Sequence, residues 1–93
     1  MKVIQSPSFG KRIKKFKKSQ KEQLDNQVRV IIDNPFVGEE KKGDLKGVFV
    51  YKFKIDNLQY LLSYRIKKDV LELIMIGPHE NYYRDLKGYL KHR

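Results

Sequence analysis

The chain has 93 residues, no cysteine and two histidines, which excludes a second core, a disulfide framework and a thiolate zinc site. Lysine and arginine number 21 against 11 acidic residues, for a formal net charge of +10. Such an excess suits a polyanion, since each phosphate neutralised releases condensed counterions, although an acidic protein or an anionic membrane surface would meet the same charge.

The N-terminus, MKVIQSPSF, has one lysine and a two-residue apolar step, and no apolar run approaches membrane-spanning length. A soluble cytoplasmic protein with no membrane partner is expected. With two histidines and no cysteine, neither a metal nor a small-molecule cofactor is expected.

Taken in order, Lys2 to Gln5 reads as a short edge strand stopped by Ser6, Pro7 and Ser8. Phe9, Ile13 and Phe16 then recur at helical spacing and predict a first helix over about residues 8–18. Ser19 and Gln20 start a second helix, with an apolar stripe of Leu24, Val28, Ile31 and Ile32, and Asn34-Pro35 ends it. Two helices joined so tightly make an antiparallel hairpin that needs a sheet to cover. Residues 36–47 hold three glycines and mixed charge and read as a loop.

Three alternating runs follow. In the first, Phe49, Tyr51, Phe53 and Ile55 share one face while Val48, Val50, Lys52 and Lys54 share the other. Asp56-Asn57 turns the chain. In the second, Tyr60, Leu62, Tyr64 and Ile66 alternate with Leu61, Ser63 and Arg65, and Lys67-Lys68-Asp69 turns it again. The third, VLELIMI, is apolar on both faces apart from Glu72, as a strand inside a sheet should be. Gly77-Pro78 ends the sheet, and a short helix from about Tyr82 to Leu90 places Tyr83, Leu86 and Leu90 on one stripe, weakened by Gly88. The expected fold is α+β: one domain over residues 1–93, a β-α-α-β-β-β order with a helical hairpin on a twisted, mainly antiparallel sheet, and a short C-terminal helix.

Lys52 and Lys54 sit two apart on one strand face, so their ammonium groups project the same way about 7 Å apart, near the spacing of successive backbone phosphates. Cleaving RNA without a metal needs a group to take the ribose 2′-hydroxyl proton, a donor for the departing oxygen, and fixed cations for the charge that builds on phosphorus. His79 and Tyr83, just beyond the last strand beside Tyr82 and Arg84, offer side chains for those tasks. Equally, tyrosines serve as half-buried anchors or as base-stacking surfaces, and lysine runs as solvated faces.

The order of strand, two helices and three-stranded meander, with YKFKI, YLLSYRI and GPHENYYRDLKGYL, resembles the RelE/ParE superfamily of bacterial toxin-antitoxin toxins from Val3 to Leu90. For the RelE branch the resemblance implies a ribosome-dependent messenger RNA endoribonuclease, an mRNA interferase that inhibits translation by in-line 2′-hydroxyl attack without a metal. It also implies an acidic antitoxin partner, for which Lys14, Lys15, Lys17 and Lys18 form the candidate docking surface. Lys46 falls on a basic position before the sheet, Lys52 and Lys54 on the family's lysine pair, His79 where many relatives carry arginine, and Tyr83 on an active-site tyrosine. Tyr82, Arg65 and Arg84 join Lys46 as candidate RNA contacts. Leu61 stands where the family commonly has an arginine. The ParE branch, which the resemblance associates with inhibition of DNA gyrase, and a non-catalytic RNA-binding module are the rival readings.

Overall fold

Period-two alternation along the three long strands decides which way everything else packs. In a computed structural model, which describes residues 1–92, the chain runs β1 (Lys2–Gln5), α1 (Pro7–Ile13), α2 (Lys18–Asp33), β2 (Glu39–Glu40), a 3₁₀ turn (Gly43–Leu45), β3 (Phe49–Ile55), β4 (Leu58–Lys67), β5 (Val70–Pro78) and α3 (Tyr82–Lys91). The strands form one sheet in the order β1-β5-β4-β3-β2, antiparallel except for β1, which lies parallel to β5. This is the α+β architecture expected. Asp56 and Asn57 turn β3 into β4 with positive φ at both residues, 50° and 68°, the primed geometry whose twist matches a hairpin.

On one sheet face Phe49, Phe53, Ile55, Leu62 and Tyr64 are buried under Phe9 of α1 and Leu24 and Ile31 of α2. On the other, Val48, Val50, Leu61 and Ile74 are buried under Leu45, Tyr82 and Leu86. The sheet is therefore roofed on both sides, and α3 and the 3₁₀ turn form the second, thinner roof.

Two expectations change. The first helix ends at Ile13, not near 18: the N–H groups of Lys15 and Phe16 bond back three residues to Arg12 and Ile13, tightening the turn. That turn lets Phe16 meet the Tyr60 ring edge-on at 5.7 Å, and Gln20 then accepts from the Lys17 backbone N–H at 2.8 Å to start α2. Lys17 and Lys18 thus open a helix, where the dipole disfavours them. Asp56 offsets this charge: its carboxylate accepts from Gln20 at 3.0 Å and Gln23 at 2.9 Å, and those bonds lower its pKa.

Residues 36–47 are also more ordered than a loop. Glu39 and Glu40 pair with Val50 and Phe49 as a two-residue edge strand. Tyr64, buried in the sheet centre, holds the approach: its hydroxyl donates to the Pro35 carbonyl at 2.7 Å and accepts from the Gly38 N–H at 3.0 Å.

β5 contains a bulge. Ser63 faces Met75 and Tyr64 faces Leu73, so Ile74 has no partner on β4. Ser6 takes up the slack: its N–H donates to the Leu73 carbonyl at 2.9 Å and its hydroxyl to the Ile74 carbonyl, while the same hydroxyl oxygen accepts from Phe9 N–H at 3.1 Å as the cap of α1.

A methyl group at position 38 would lie 2.7 Å from the Tyr64 hydroxyl oxygen. Gly38→Ala is expected to lower stability by about 1–3 kcal/mol, and Tyr64→Phe by about 1–3 kcal/mol through the two backbone groups it leaves unmatched. Urea unfolding checks both, and a Gly38→Ala midpoint equal to wild type would contradict the contact.

Candidate active site

The site begins where β5 hands the chain to α3. Asn81, with φ 58° and ψ 10°, takes the left-handed conformation that reverses the direction, and its carbonyl accepts from the Asp85 N–H at 3.0 Å. The two tyrosines that follow go opposite ways. Tyr82 turns inward, only 3% exposed, with its hydroxyl donating to the Met75 carbonyl at 2.7 Å and lying 2.8 Å from Ser63 Oγ. Burial pushes its pKa up. The buried stripe of α3 is therefore Tyr82 and Leu86, with Tyr83, Tyr89 and Leu90 packed against it, so the expected Tyr83, Leu86 and Leu90 all reach this core and Tyr82 joins them as its most buried tyrosine. Fixed in this way, Tyr82 has no free ring face to offer a base.

Tyr83 is consequently aimed along the sheet toward β2. Its ring meets Tyr82 edge-on at 5.8 Å and His79 edge-on at 6.2 Å. The Lys41 ammonium lies 5.0 Å from its centroid, close enough for cation–π attraction. Lys41 also bonds to the Glu39 carboxylate. Glu39, Lys41, Lys52 and Tyr83 line one shallow depression of about 310 Å³, together with Val37, Val50 and Tyr51.

The remaining candidates scatter around this depression. Lys52 and Lys54 are exposed on β3, opposite Leu61 and Gln59 of β4. His79 is exposed at the end of β5. Lys46 is exposed just after the 3₁₀ turn, beside Lys41 and Lys42. Arg84 points to solvent with Asp85 at 3.7 Å. Arg65 is elsewhere: it lies four residues along β4 from Leu61, about 13 Å at strand rise, and is bonded to Glu72 at 2.9 Å. It does not stand in for the missing arginine. Leu61 itself is fully buried beneath α3. Lys14, Lys15, Lys17 and Lys18 are exposed in the turn between α1 and α2 and at the start of α2.

Lys41 and Glu39 escape a reading of the residues because GEEKKG carries the marks of a loop. The available signal is their spacing of two, which puts both side chains on one side of an extended segment.

Among the described residues no three His, Asp or Glu side chains gather to hold a metal ion, and no helix is long and apolar enough to cross a membrane. The arrangement offers instead a phenol, an imidazole and ammonium groups around an open depression.

A family model described as a ParE-like toxin of type II bacterial toxin-antitoxin systems matches residues 3–87. The chain belongs to that family. Solved structures agree on the fold: a double-arginine mutant of Escherichia coli toxin RelE in the free state is similar with a TM-score of 0.73 at 17% identity, covering 97% of this chain and 95% of that one. The isolated E. coli RelE toxin gives 0.65 at 20% identity over 95% and 97%. A chain of the intact E. coli RelBE toxin-antitoxin complex gives 0.67 at 21% over 85% and 96%. No curated protein matches at the sequence level. The toxin is thus RelE/ParE-type in both sequence family and fold.

The two tyrosines can be told apart experimentally. Tyr82→Phe is expected to lower stability at pH 7 by about 1–3 kcal/mol by removing a buried hydroxyl that bonds the Met75 carbonyl and Ser63, leaving that carbonyl only the longer 3.3 Å bond from Ser63, whereas Tyr83→Phe should leave it nearly unchanged. The raised Tyr82 pKa adds a pH signature. Its contribution is complete below the unfolded tyrosine value of 10.0 and declines above it, because the unfolded chain releases a proton that the folded one retains. Denaturation across pH 8–11 should therefore show an alkaline loss that is smaller in Tyr82→Phe, and equal losses would contradict the assignment.

Proposed function

We propose that this toxin is a ribosome-dependent messenger RNA endoribonuclease of the RelE type. The observation that carries the reading is the division of labour at the start of α3, where Tyr82 is tied into the core so that Tyr83 faces an open, lysine-bordered depression with the His79 ring against its edge. A phenol and an imidazole in contact can divide the two proton transfers that 2′-hydroxyl attack requires, one removing the 2′-proton and the other supplying the departing 5′-oxygen. Attack closes a 2′,3′-cyclic phosphate, and the charge gathered on the phosphoryl oxygens needs preorganised cations. Lys52 supplies one at the depression, and Lys54 a second about 7 Å further along the messenger. Lys46 and Arg84 extend the basic border for RNA on either side.

In this reading the chain works in the cytoplasm on the ribosome and is silenced by a cognate acidic antitoxin. The exposed lysines between α1 and α2 supply the complementary charge. The rival reading, a gyrase inhibitor of the ParE type, is favoured by one specific observation, the burial of Leu61 where nuclease relatives commonly carry arginine.

The deciding experiment is cleavage of a defined messenger on translating ribosomes with the new 5′ ends mapped. Cuts that require ribosomes are expected, falling by about 10²-fold or more in Tyr83→Phe and His79→Ala and likewise in a Lys52→Ala/Lys54→Ala double variant. An intact messenger, together with trapped cleaved DNA in a supercoiling assay, would overturn the nuclease reading in favour of gyrase. Replacing Lys14, Lys15, Lys17 and Lys18 with glutamate should weaken antitoxin binding by about tenfold or more; unchanged affinity would remove that docking surface.

A further inference from the structure

The depression beside Tyr83 contains a cation that is already occupied by the protein itself. Lys41 is half-buried, with its ammonium held over the Tyr83 ring and bonded to the Glu39 carboxylate. Glu39 is exposed and has its backbone in β2, opposite Val50. Two residues along β3 from Val50, Lys52 lies near enough to act on the same carboxylate. One carboxylate therefore faces two ammonium groups and a phenol, the surroundings a phosphate would need.

We propose that Glu39 is an internal occupant of a phosphate-binding site built by Lys41, Lys52 and Tyr83, and that a phosphodiester of single-stranded RNA displaces it. The proposal rests on the nuclease reading only in taking RNA as the anion. Three features of the chain support it. Lys41 is a fixed charge: its bond to Glu39 raises its pKa, and Tyr83 adds to the effect against the cost of burial, so it is suited to holding an anion rather than to passing a proton. The carboxylate is anchored only through its exposed side chain, so it can swing out into water without disturbing the pairing of β2. Finally, Leu61 is fully buried next to Lys52 across the strand pair, so β4 contributes no cation here and Lys41 enters from the opposite strand edge to provide one.

With the carboxylate in place, the free toxin carries a self-neutralised site that opens only to a competing anion. The carboxylate also sets a threshold: random weak anions must displace a tethered group of high effective concentration, whereas a positioned messenger brings several phosphates at once.

The test is a double-mutant cycle read by equilibrium binding of a 2′-O-methyl RNA oligonucleotide, which cannot undergo 2′ attack. Glu39→Gln in the full chain is expected to raise affinity about 3- to 10-fold, and Lys41→Ala to lower it about tenfold with a shallower salt dependence, by about 0.7 in log–log slope. In the Lys41→Ala background the Glu39→Gln gain should shrink to the smaller part that freeing Lys52 contributes. A Glu39→Gln gain of the same size with and without Lys41 would show generic charge repulsion and overturn the proposal, as would wild-type affinity in Lys41→Ala. Because the RNA cannot be cut, this outcome is independent of the ribosome assay: loss of cleavage with an intact cycle sinks the nuclease reading alone, and cleavage without the cycle sinks the phosphate site alone.

Discussion

The bulge at Ile74 in β5 is the constraint on which the rest of this small protein depends. One residue without a partner on β4 turns Ile74 and Met75 toward the same side of the sheet, so the helical hairpin keeps Leu71, Leu73 and Ile76 while α3 gains Ile74. It also leaves carbonyl groups for side chains to satisfy. Ser6 takes one and thereby caps α1; Tyr82 takes the next and thereby pins α3. Both helical layers are thus indexed to the same two residues of one strand, and no buried side-chain polar atom among the described residues lacks a partner.

Function follows from that indexing. Because Tyr82 is held, Tyr83, about 100° further round the helix, is directed at the β2 edge, where Tyr64 and Gly38 deliver Glu39 and Lys41. The site is assembled from the start of one helix, one strand face and a two-residue edge strand, the first held by the Tyr82 hydroxyl and the last by the Tyr64 hydroxyl. Leu61 reflects the same economy: α3 packs on it, and a position committed to the second core cannot also present a charge.

Much of this was legible from periodicity. The alternation of Phe49, Tyr51, Phe53 and Ile55 against Val48 and Val50 assigns both faces of β3 correctly, since strand parity permits no other solution once one face is apolar. The α2 stripe of Leu24, Val28, Ile31 and Ile32 is similarly direct. What stayed hidden depended on single tertiary contacts rather than on repeats. The bulge shifts parity within the apolar stretch Leu73–Ile76, which has no polar marker to reveal it. The early end of α1 is set by Phe16 meeting Tyr60 across 44 positions of sequence, and the choice between Tyr82 and Tyr83 is set by Ser63 and Met75. Lys41 and Glu39 were obscured by composition, because a charged, glycine-flanked stretch reads as loop whether or not its ends pair with a strand.

Anchoring Tyr82 is what aims Tyr83 at Lys41. This is tested most directly by NMR, measuring nuclear Overhauser contacts between the Tyr83 ring protons and the Lys41 side-chain methylenes in the wild type and in Tyr82→Phe. Clear contacts are expected in the wild type, weakening or disappearing when the Tyr82 hydroxyl is removed. Contacts absent from the wild type, or undiminished in the variant, would contradict it.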